Sequence, residues 1–302
     1  MSHLKLWWEA SRAFSFTASV IPVLLGSALA LRDGQFSLSI LGWTVLGAVL
    51  LQAGTNLTND YYDHQRGADR LDEDGISLAG PSMVLQRGLL PAESIRGAGL
   101  LCFATGAAIG VYLAYLSSWW VLAFGPLCVL AGYYYTAGSR PLAYRALGEC
   151  TVFVFMGPVI VGGAYLVQTG GLELAPILAS TPVALLVTAI LQANNLRDLH
   201  RDRERGKTTL ATLVGPTGAA LELAFLVAAA YLSVAALVHH QVLTPACALA
   251  ALTLPDGVRI VRTGFQGPQG EDANDNVLRC AQLHAKFGVL LVLGILGGWV
   301  VG

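Results

Sequence analysis

Long apolar runs without any Asp, Glu, Lys or Arg recur along the whole chain and are separated by polar segments. Most of these runs reach the ~20 residues that a helix needs to cross the hydrocarbon layer of a membrane. The two longest runs each hold two crossings, with breaks near 117–120 and 239–245. The pattern therefore predicts nine membrane-spanning helices, at 13–31, 39–58, 95–116, 119–136, 149–168, 175–197, 217–238, 243–260 and 282–302.

Composition agrees with a membrane protein. Hydrophobic residues make up 55% of the 302 residues and charged residues only 12%, whereas a soluble domain carries about 25% charged residues. These values argue against a disordered chain, against a disulfide scaffold and, since the few charges are segregated, against binding to nucleic acid. The five cysteines form no C-x-x-C pair and are expected to be small buried hydrophobes. We expect an all-α, polytopic fold that forms a single integral membrane domain over 1–302.

The basic residues predict the orientation of the chain. If it crosses the membrane nine times, all of its 18 lysines and arginines except Arg32 lie on the side of the N-terminus. The positive-inside rule then places the N-terminus in the cytoplasm and the C-terminus outside, with the chain in the plasma membrane. The acidic residues are skewed in the same way, since Asp33 and Glu173 alone fall outside. That rule does not demand this second asymmetry, so we expect the active site at the cytoplasmic side.

Two predicted helices, the second and the sixth, end on that side in clusters of Asn and Asp. The second helix carries four such residues in two pairs with an interval of four, Asn56 with Asp60 and Asn59 with Asp63, and we expect all four on one face. The sixth helix carries three at intervals of four: Asn194, Asp198 and Asp202. Side chains at these intervals share a helix face. A single cluster of this kind is common where a helix end enters water. Two clusters with matched spacing on the same side of the membrane predict that both belong to one site.

The chemistry of the two clusters favours magnesium. A helix C-terminus carries partial negative charge, which disfavours Asp, so these carboxylates repel each other unless a cation lies between them. Ligands that offer only oxygen suit Mg²⁺ better than zinc. The expected ligands are Asn59, Asp60, Asp63, Asp198 and Asp202. Basic residues next to the clusters can hold the rest of a polyphosphate anion: Arg66, Arg70, Arg197, Arg201 and Lys207.

At these residues the sequence resembles the UbiA superfamily of intramembrane prenyltransferases. That family carries Asn-Asp-x-x-Asp-x-x-x-Asp on its second helix and Asp-x-x-x-Asp on its sixth. Here Asn59 to Asp63 fit, but Gly67 stands where the third Asp is expected, and Asp69 follows two residues later. This variant adds Asp69 to the implied metal ligands. Together with the segments 80–88, 133–149 and 194–208, it resembles the branch that prenylates 1,4-dihydroxy-2-naphthoate on the way to menaquinone.

The resemblance implies a mechanism and the residues for it. Mg²⁺ and the acidic clusters bind a polyprenyl diphosphate and stabilise the departing pyrophosphate, which leaves an allylic cation. The activated ring of the aromatic acid attacks this cation and loses CO₂, giving demethylmenaquinone, while the lipid bilayer accommodates the prenyl tail. The implied catalytic residues are Asp63, Asp198, Asp202, Lys207 and Tyr134. The implied substrate-binding residues are Asn56, Arg66, Tyr133, Tyr135, Arg140, Asn194, Asn195, Arg197 and Arg201.

Some alternatives stay open. Tyr133, Tyr134 and Tyr135 are candidates to stabilise the cation through their aromatic faces, but they also suit an interfacial aromatic belt. Glu149 either orients a base or binds an arginine, or it caps a helix N-terminus. The acceptor can be homogentisate, 4-hydroxybenzoate or a lipid, although the Gly67 variant argues against 4-hydroxybenzoate. A secondary transporter with an acidic intramembrane site is a different class, and the acids on one side and the odd helix count argue against it.

Overall fold

The computed structural model of the chain describes residues 2–67, 82–268 and 272–301. Within these ranges the protein is all-helical, with one isolated β-bridge between Arg145 and Thr208 and no strand. Its α-helices are α1 (His3–Ala10), α2 (Thr17–Arg32), α3 (Leu38–Gln65), α4 (Ala92–Leu116), α5 (Val121–Tyr134), α6 (Gly148–Val154), α7 (Ile160–Thr169), α8 (Leu174–Ala179), α9 (Thr181–Arg197), α10 (Leu199–Glu204), α11 (Leu210–His239), α12 (Leu254–Gly264) and α13 (Ala273–Val301).

Seven helical segments of the described chain are long and apolar enough to cross a membrane, by length and composition. They are Ala13–Arg32, Leu38–Gln65, Ala92–Leu116, Gly148–Thr169, Leu174–Arg197, Leu210–His239 and Asp275–Gly298. The other two predicted spans coincide with different elements. The span at 119–136 is the short helix α5, and the span at 243–260 is a 3₁₀ helix, Pro245–Thr253, that leads into α12. An all-helical, multi-pass architecture is confirmed, but nine long helices are not.

Several helices extend further on the inner side than the apolar pattern indicates. α3 continues to Gln65, so the Asn and Asp residues after position 58 lie on a regular helix. α13 begins nine residues before the predicted start, and Arg279 pairs with Asp272 and Asp275 near its beginning. The segment of α11 begins at Leu210, where Thr209 caps it, but its helix is broken at Gly215 (φ 79°), two residues before the predicted start. Charged and polar turns are thus compatible with these helices once they leave the apolar layer.

The predicted span at 149–168 is broken by one π turn. Residues Phe155–Val159 form this turn between α6 and α7, and it contains Pro158. Proline has no backbone N–H to donate, so the regular hydrogen-bond ladder cannot pass through it. π turns inside helices often re-aim side chains at functional sites. Here Phe155 and Met156 line the large cavity of the protein.

Small residues let the helices approach closely. A Cβ atom added to Gly26 of α2 would lie 2.3 Å from the carbonyl oxygen of Val161 on α7. Glycine at such a crossing is typical of helix packing in membranes. The main buried core joins α2, α9, α11 and α13. On the outer surface of the bundle, large apolar side chains such as Leu101, Phe225 and Leu232 are about two-thirds exposed, as expected for a protein surrounded by lipid.

Candidate active site

A cavity of about 970 Å³ runs between α3, α4, α5, α7 and α9. Along α3 its wall extends from Thr44 to Asp63, which is about 28 Å of helix at a rise of 1.5 Å per residue. The end near Thr44 is walled by apolar side chains, among them Ile109, Leu113 and Leu172. The opposite end is charged, and its ionisable lining residues are Arg12, Asp63, Arg197, Asp198, Arg201, Asp202, Arg205 and Lys207. The cavity therefore matches a ligand with a charged head and a long apolar tail.

α3 delivers the first acidic cluster to the charged end. Asn56, Asn59 and Asp63 line the cavity, as expected from their spacing on one face. The carboxylate of Asp63 is buried and accepts a hydrogen bond from the Tyr144 hydroxyl at 2.8 Å. The carboxylate of Asp60 is instead held between the guanidinium of Arg12 and the hydroxyl of Ser82. Three residues of the cluster thus face the cavity, whereas Asp60 is held beside it by its own partners.

The second cluster lies on α9 and α10. The guanidinium of Arg197 donates to both carboxylate oxygens of Asp198, at 2.9 and 2.7 Å. The same guanidinium also donates to Asn194 Oδ1. Arg201 lies 4.0 Å from Asp198, and the ammonium of Lys207 lies 3.5 Å from Asp202. Each acid therefore has a cationic partner, and acids and cations together face one cavity.

A short backbone pairing brings the two clusters together. The amide of Ala146 donates to the carbonyl of Thr208 at 2.9 Å, next to the bridge between Arg145 and Thr208. This places Tyr144 against the segment that follows α10. The ammonium of Lys207 then lies 5.5 Å from the centre of the Tyr144 ring. Tyr144, bonded to Asp63, links the α3 cluster to the α10 cluster.

The carboxyl group of Asp202 on α10 has a raised pKa. Burial raises the pKa of Asp202 to about 6, and the negative charge of Asp198 adds to that shift, while the ammonium of Lys207 opposes it. The atom Oδ2 of Asp202 is buried, and the ammonium of Lys207 lies 3.5 Å from it. Burial of a carboxylate away from water is costly. Additional positive charge at this end of the cavity would relieve that cost.

The donor set fits magnesium in kind. Asn59, Asp63, Asp198 and Asp202 offer only oxygen atoms, which Mg²⁺ prefers, and all four line the cavity. Among the residues that the structure describes, no three His, Cys, Asp or Glu side chains are grouped closely enough to hold a metal as they stand. Mg²⁺ commonly uses one or two carboxylates together with water and substrate phosphate. A magnesium site therefore does not require three touching carboxylates.

The predicted tyrosines separate into different environments. Tyr135 lines the cavity, and its hydroxyl lies against Gly148. The hydroxyl of Tyr133 instead pairs with that of Tyr62 at 2.9 Å, and Tyr134 is half exposed. The structure therefore favours Tyr135 over Tyr134 for contact with a bound ligand.

Two of the predicted substrate-binding arginines, Arg66 and Arg140, are not among the residues that line the cavity. Arg140 is exposed. The guanidinium of Arg66 donates to the carbonyl of Gly138 at 2.6 Å and stacks 5.1 Å from the centre of the Tyr144 ring. Arg66 therefore fixes the loop after α5 and supports Tyr144. Asp69 and Arg70 lie outside the described residues.

Sequence reasoning missed Arg12, which lies far from both motifs in the chain. It stands between α1 and the short 3₁₀ helix Ala13–Phe16, with a backbone φ of 52°. This left-handed conformation is uncommon for a residue other than glycine, and strain of this kind concentrates at functional sites. The turn directs the guanidinium to Asn59 and Asp60. A basic residue before the first span is also what the positive-inside rule produces, so the sequence offered no separate signal.

Comparison with known proteins agrees with this arrangement. The model of the UbiA prenyltransferase family matches residues 19–277. The chain is 34% identical over 292 residues to 1,4-dihydroxy-2-naphthoate octaprenyltransferase of Bacillus subtilis (strain 168), covering 97% of this chain and 92% of that protein. It is 33% identical over 290 residues to human UbiA prenyltransferase domain-containing protein 1, covering 95% and 82%.

Solved structures share the fold. A UbiA homolog from Archaeoglobus fulgidus bound to DMAPP and Mg²⁺ superposes with a TM-score of 0.67, at 17% identity, over 96% of this chain and 99% of that one. The fold and the cavity define a polytopic membrane protein with a charged head site and an apolar channel. The chain belongs to the UbiA prenyltransferase family.

Proposed function

We propose that the protein transfers a polyprenyl chain from its diphosphate to 1,4-dihydroxy-2-naphthoate, giving demethylmenaquinol (the reduced form of demethylmenaquinone), pyrophosphate and CO₂. The observation that carries this proposal is the cavity, which joins paired acids and cations at one end to an apolar channel at the other. The choice of acceptor is supported by the name of the Bacillus subtilis relative, which matches nearly the full length of both chains.

The diphosphate occupies the charged end. Asn59, Asp63, Asp198 and Asp202 would hold Mg²⁺, which when bound supplies positive charge to the leaving pyrophosphate. Arg201 and Lys207 line the same end and bind the diphosphate oxygens. These cations stabilise charge that grows on the leaving oxygen as the C–O bond breaks, so they act on the rate of that step.

Bond cleavage leaves an allylic cation at the first carbon of the prenyl chain, and the electron pair of the C–O bond departs with pyrophosphate. Tyr135 lines the cavity and offers an aromatic face to this cation. The electron-rich ring of the acceptor forms the new C–C bond at the carbon that carries its carboxylate. The C–CO₂ bond then breaks, and its electron pair restores the aromatic ring, so no added oxidant or base is needed.

The chain crosses the membrane nine times under this proposal. The 3₁₀ helix Pro245–Thr253 rises about 2.0 Å per residue, so that with α12 it reaches about 34 Å, more than the ~30 Å hydrocarbon layer. α5 is shorter, and the exposed Trp119 and Trp120 at its outer end anchor it at the interface. Nine crossings put the N-terminus in the cytoplasm and the C-terminus outside the plasma membrane.

The orientation is tested with reporter fusions at the C-terminal residue, Gly302. An odd number of crossings, together with the asymmetry of basic residues, predicts activity from a reporter that works only outside the cytoplasm. A reporter that works only in the cytoplasm should be silent at this position. The reverse pattern would require an even number of crossings and would overturn the nine-helix topology.

The acceptor is tested by product mass. Purified protein is incubated with a polyprenyl diphosphate, Mg²⁺ and an equimolar mixture of 1,4-dihydroxy-2-naphthoate, homogentisate and 4-hydroxybenzoate. We expect the decarboxylated prenyl naphthoquinol to dominate the products. A dominant product from another acid would replace the proposed acceptor, and a transporter would yield no prenylated product.

The apolar channel makes a separate prediction about chain length. Gly110 of α4 lines the cavity, and a Cβ atom added there meets nothing within 4 Å. Gly110→Leu should therefore fill the channel without disturbing the helix. We expect kcat/KM for a long polyprenyl diphosphate to fall roughly 5-fold, about 1 kcal/mol, while the value for dimethylallyl diphosphate stays within 2-fold.

Gly97→Leu is the matched control for this prediction. Gly97 is an exposed residue of the same helix, and its added Cβ also meets nothing within 4 Å. Both substitutions gain similar helix propensity, but only one reaches the channel. Equal effects of the two variants on long and short substrates would show that the tail does not occupy this cavity.

A further inference from the structure

A buried carboxylate beside the cavity has no role in the mechanism so far. Glu149 is 4% exposed. Its Oε1 accepts a hydrogen bond of 2.7 Å from the side-chain amide of Asn195. Its Oε2 is buried without a hydrogen-bond partner in the described part of the protein. A half-satisfied buried carboxylate costs stability, so its presence calls for a functional reason.

Asn195 connects this carboxylate to the site. It is itself buried, and it lines the cavity three residues before Asp198 on α9. Three residues of helix are about 4.5 Å, so Asn195 lies about one turn deeper in the membrane than the acid that faces the diphosphate. An acceptor ring that attacks the first prenyl carbon must lie at this depth.

The side-chain amides of Asn194 and Asn195, adjacent on α9, present opposite ends to the cavity. Arg197 donates to the amide oxygen of Asn194, which leaves the NH₂ group of Asn194 for the cavity. Glu149 accepts from the NH₂ group of Asn195, which leaves the oxygen of Asn195 for the cavity. An amide can flip to exchange its ends, but an ionised carboxylate cannot donate. Glu149 therefore fixes which end of Asn195 faces the ligand.

We propose that Glu149 is a positioning residue, which holds the amide oxygen of Asn195 toward the cavity to accept a hydrogen bond from a ring hydroxyl of the aromatic acceptor. The neighbouring NH₂ group of Asn194 donates to an oxygen of the same acceptor. This pair recognises a hydroxylated aromatic acid and leaves the diphosphate site untouched. The inference deepens the proposed function and rests on it.

The test compares two acids as ligands of wild-type protein and Glu149→Leu. One is 1,4-dihydroxy-2-naphthoate, and the other is 2-naphthoate, which lacks both hydroxyls. Dissociation constants are measured at fixed Mg²⁺ and saturating non-hydrolysable prenyl diphosphate analogue. We expect Glu149→Leu to weaken binding of the dihydroxy acid at least 10-fold and binding of 2-naphthoate less than 2-fold. Equal weakening of both acids, or of neither, would overturn the inference.

Further variants separate positioning from general damage. Asn195→Ala should lose the same preference for the hydroxylated acid, and combining it with Glu149→Leu should add little, because both remove one interaction. Glu149→Gln can accept from Asn195 or donate to it, so it no longer fixes the amide and should recover only part of the preference. If Glu149→Leu does not fold, Asn195→Ala and Glu149→Gln decide the outcome through the same comparison of the two dissociation constants.

Glu222→Gln is the control for removal of a nearby carboxylate. Glu222 is a half-buried residue of α11 whose charge acts on the same region, and we expect its loss to leave both dissociation constants within 2-fold. The proposed function and the role of Glu149 are contradicted by different outcomes. Wild-type protein that neither binds nor prenylates the dihydroxy acid would overturn the proposed function. If the wild-type protein is active and Glu149→Leu leaves the ratio of the two dissociation constants unchanged, only the role of Glu149 is overturned.

Discussion

Asp63→Asn should lower kcat/KM for prenyl transfer at least about 100-fold, equivalent to about 2.7 kcal/mol of transition-state stabilisation. Asp63 is buried at the charged end of the cavity, where it is proposed to hold the magnesium diphosphate. Asn keeps the shape of the side chain and an oxygen that can accept from Tyr144, but it removes the negative charge. The loss should therefore appear as weaker Mg²⁺ dependence and slower turnover in steady-state kinetics, without a lower melting temperature.

Asp275→Asn is the matched control for this substitution. Asp275 is an exposed acid in the first turn of α13, on the predicted inner side, and it lies 3.8 Å from Arg279. A surface ion pair of this kind contributes little, so activity should stay within 2-fold of wild type. Full activity of Asp63→Asn at every Mg²⁺ concentration would remove Asp63 from the site.

Lys207→Ala should lower kcat/KM at least about 10-fold, or about 1.4 kcal/mol, chiefly through kcat. The ammonium of Lys207 lies 3.5 Å from Asp202 and faces the cavity. In this position it stabilises charge that develops as the pyrophosphate leaves, so its loss should slow the chemical step as well as weaken binding. Initial rates over a range of diphosphate concentrations separate kcat from KM.

The competing explanation is that Lys207 serves only the positive-inside rule. Lys286→Ala tests it, because Lys286 is a more exposed lysine on the same predicted side. The topological explanation predicts that both variants insert normally and keep full activity per molecule. The catalytic explanation predicts that only Lys207→Ala loses activity. Equal activity of the two variants would exclude Lys207 from catalysis.

The sequence alone predicted the all-helical membrane architecture and most of the charged end of the cavity. Apolar runs follow directly from the need to match the hydrocarbon layer. Spacings of three and four residues place Asn56, Asn59 and Asp63 on one face of α3, and the structure brings this face to the cavity. These predictions succeeded because helix periodicity is local and needs no knowledge of tertiary contacts.

Contacts between side chains that are distant in the chain could not be predicted from the sequence pattern. Arg12 reaches Asp60 from before the first span, and Tyr144 reaches Asp63 from a loop more than 80 positions later. The periodic pattern also placed Asp60 with the cavity residues, although side chains on adjacent positions diverge by about 100°, and Asp60 is anchored between Arg12 and Ser82. Such pairings depend on how the helices pack, which a single sequence does not encode in its spacing.

The helix count shows a similar limit. A search for ~20 apolar residues assumes the rise of a regular α-helix. The segment Pro245–Thr253 adopts the longer rise of a 3₁₀ helix, and α5 is only 14 residues long. Composition cannot distinguish these geometries, because the same apolar residues occur in all of them.

The stoichiometry of the products shows whether prenyl transfer is coupled to loss of CO₂ and depends on Mg²⁺. Purified protein is given a polyprenyl diphosphate and carboxyl-labelled 1,4-dihydroxy-2-naphthoate, with Mg²⁺ or with excess chelator, and pyrophosphate, labelled CO₂ and prenylated product are measured together. The proposed function requires equal molar amounts of all three with Mg²⁺, and none with chelator. Prenylated product without CO₂, or undiminished transfer in the presence of chelator, would contradict it.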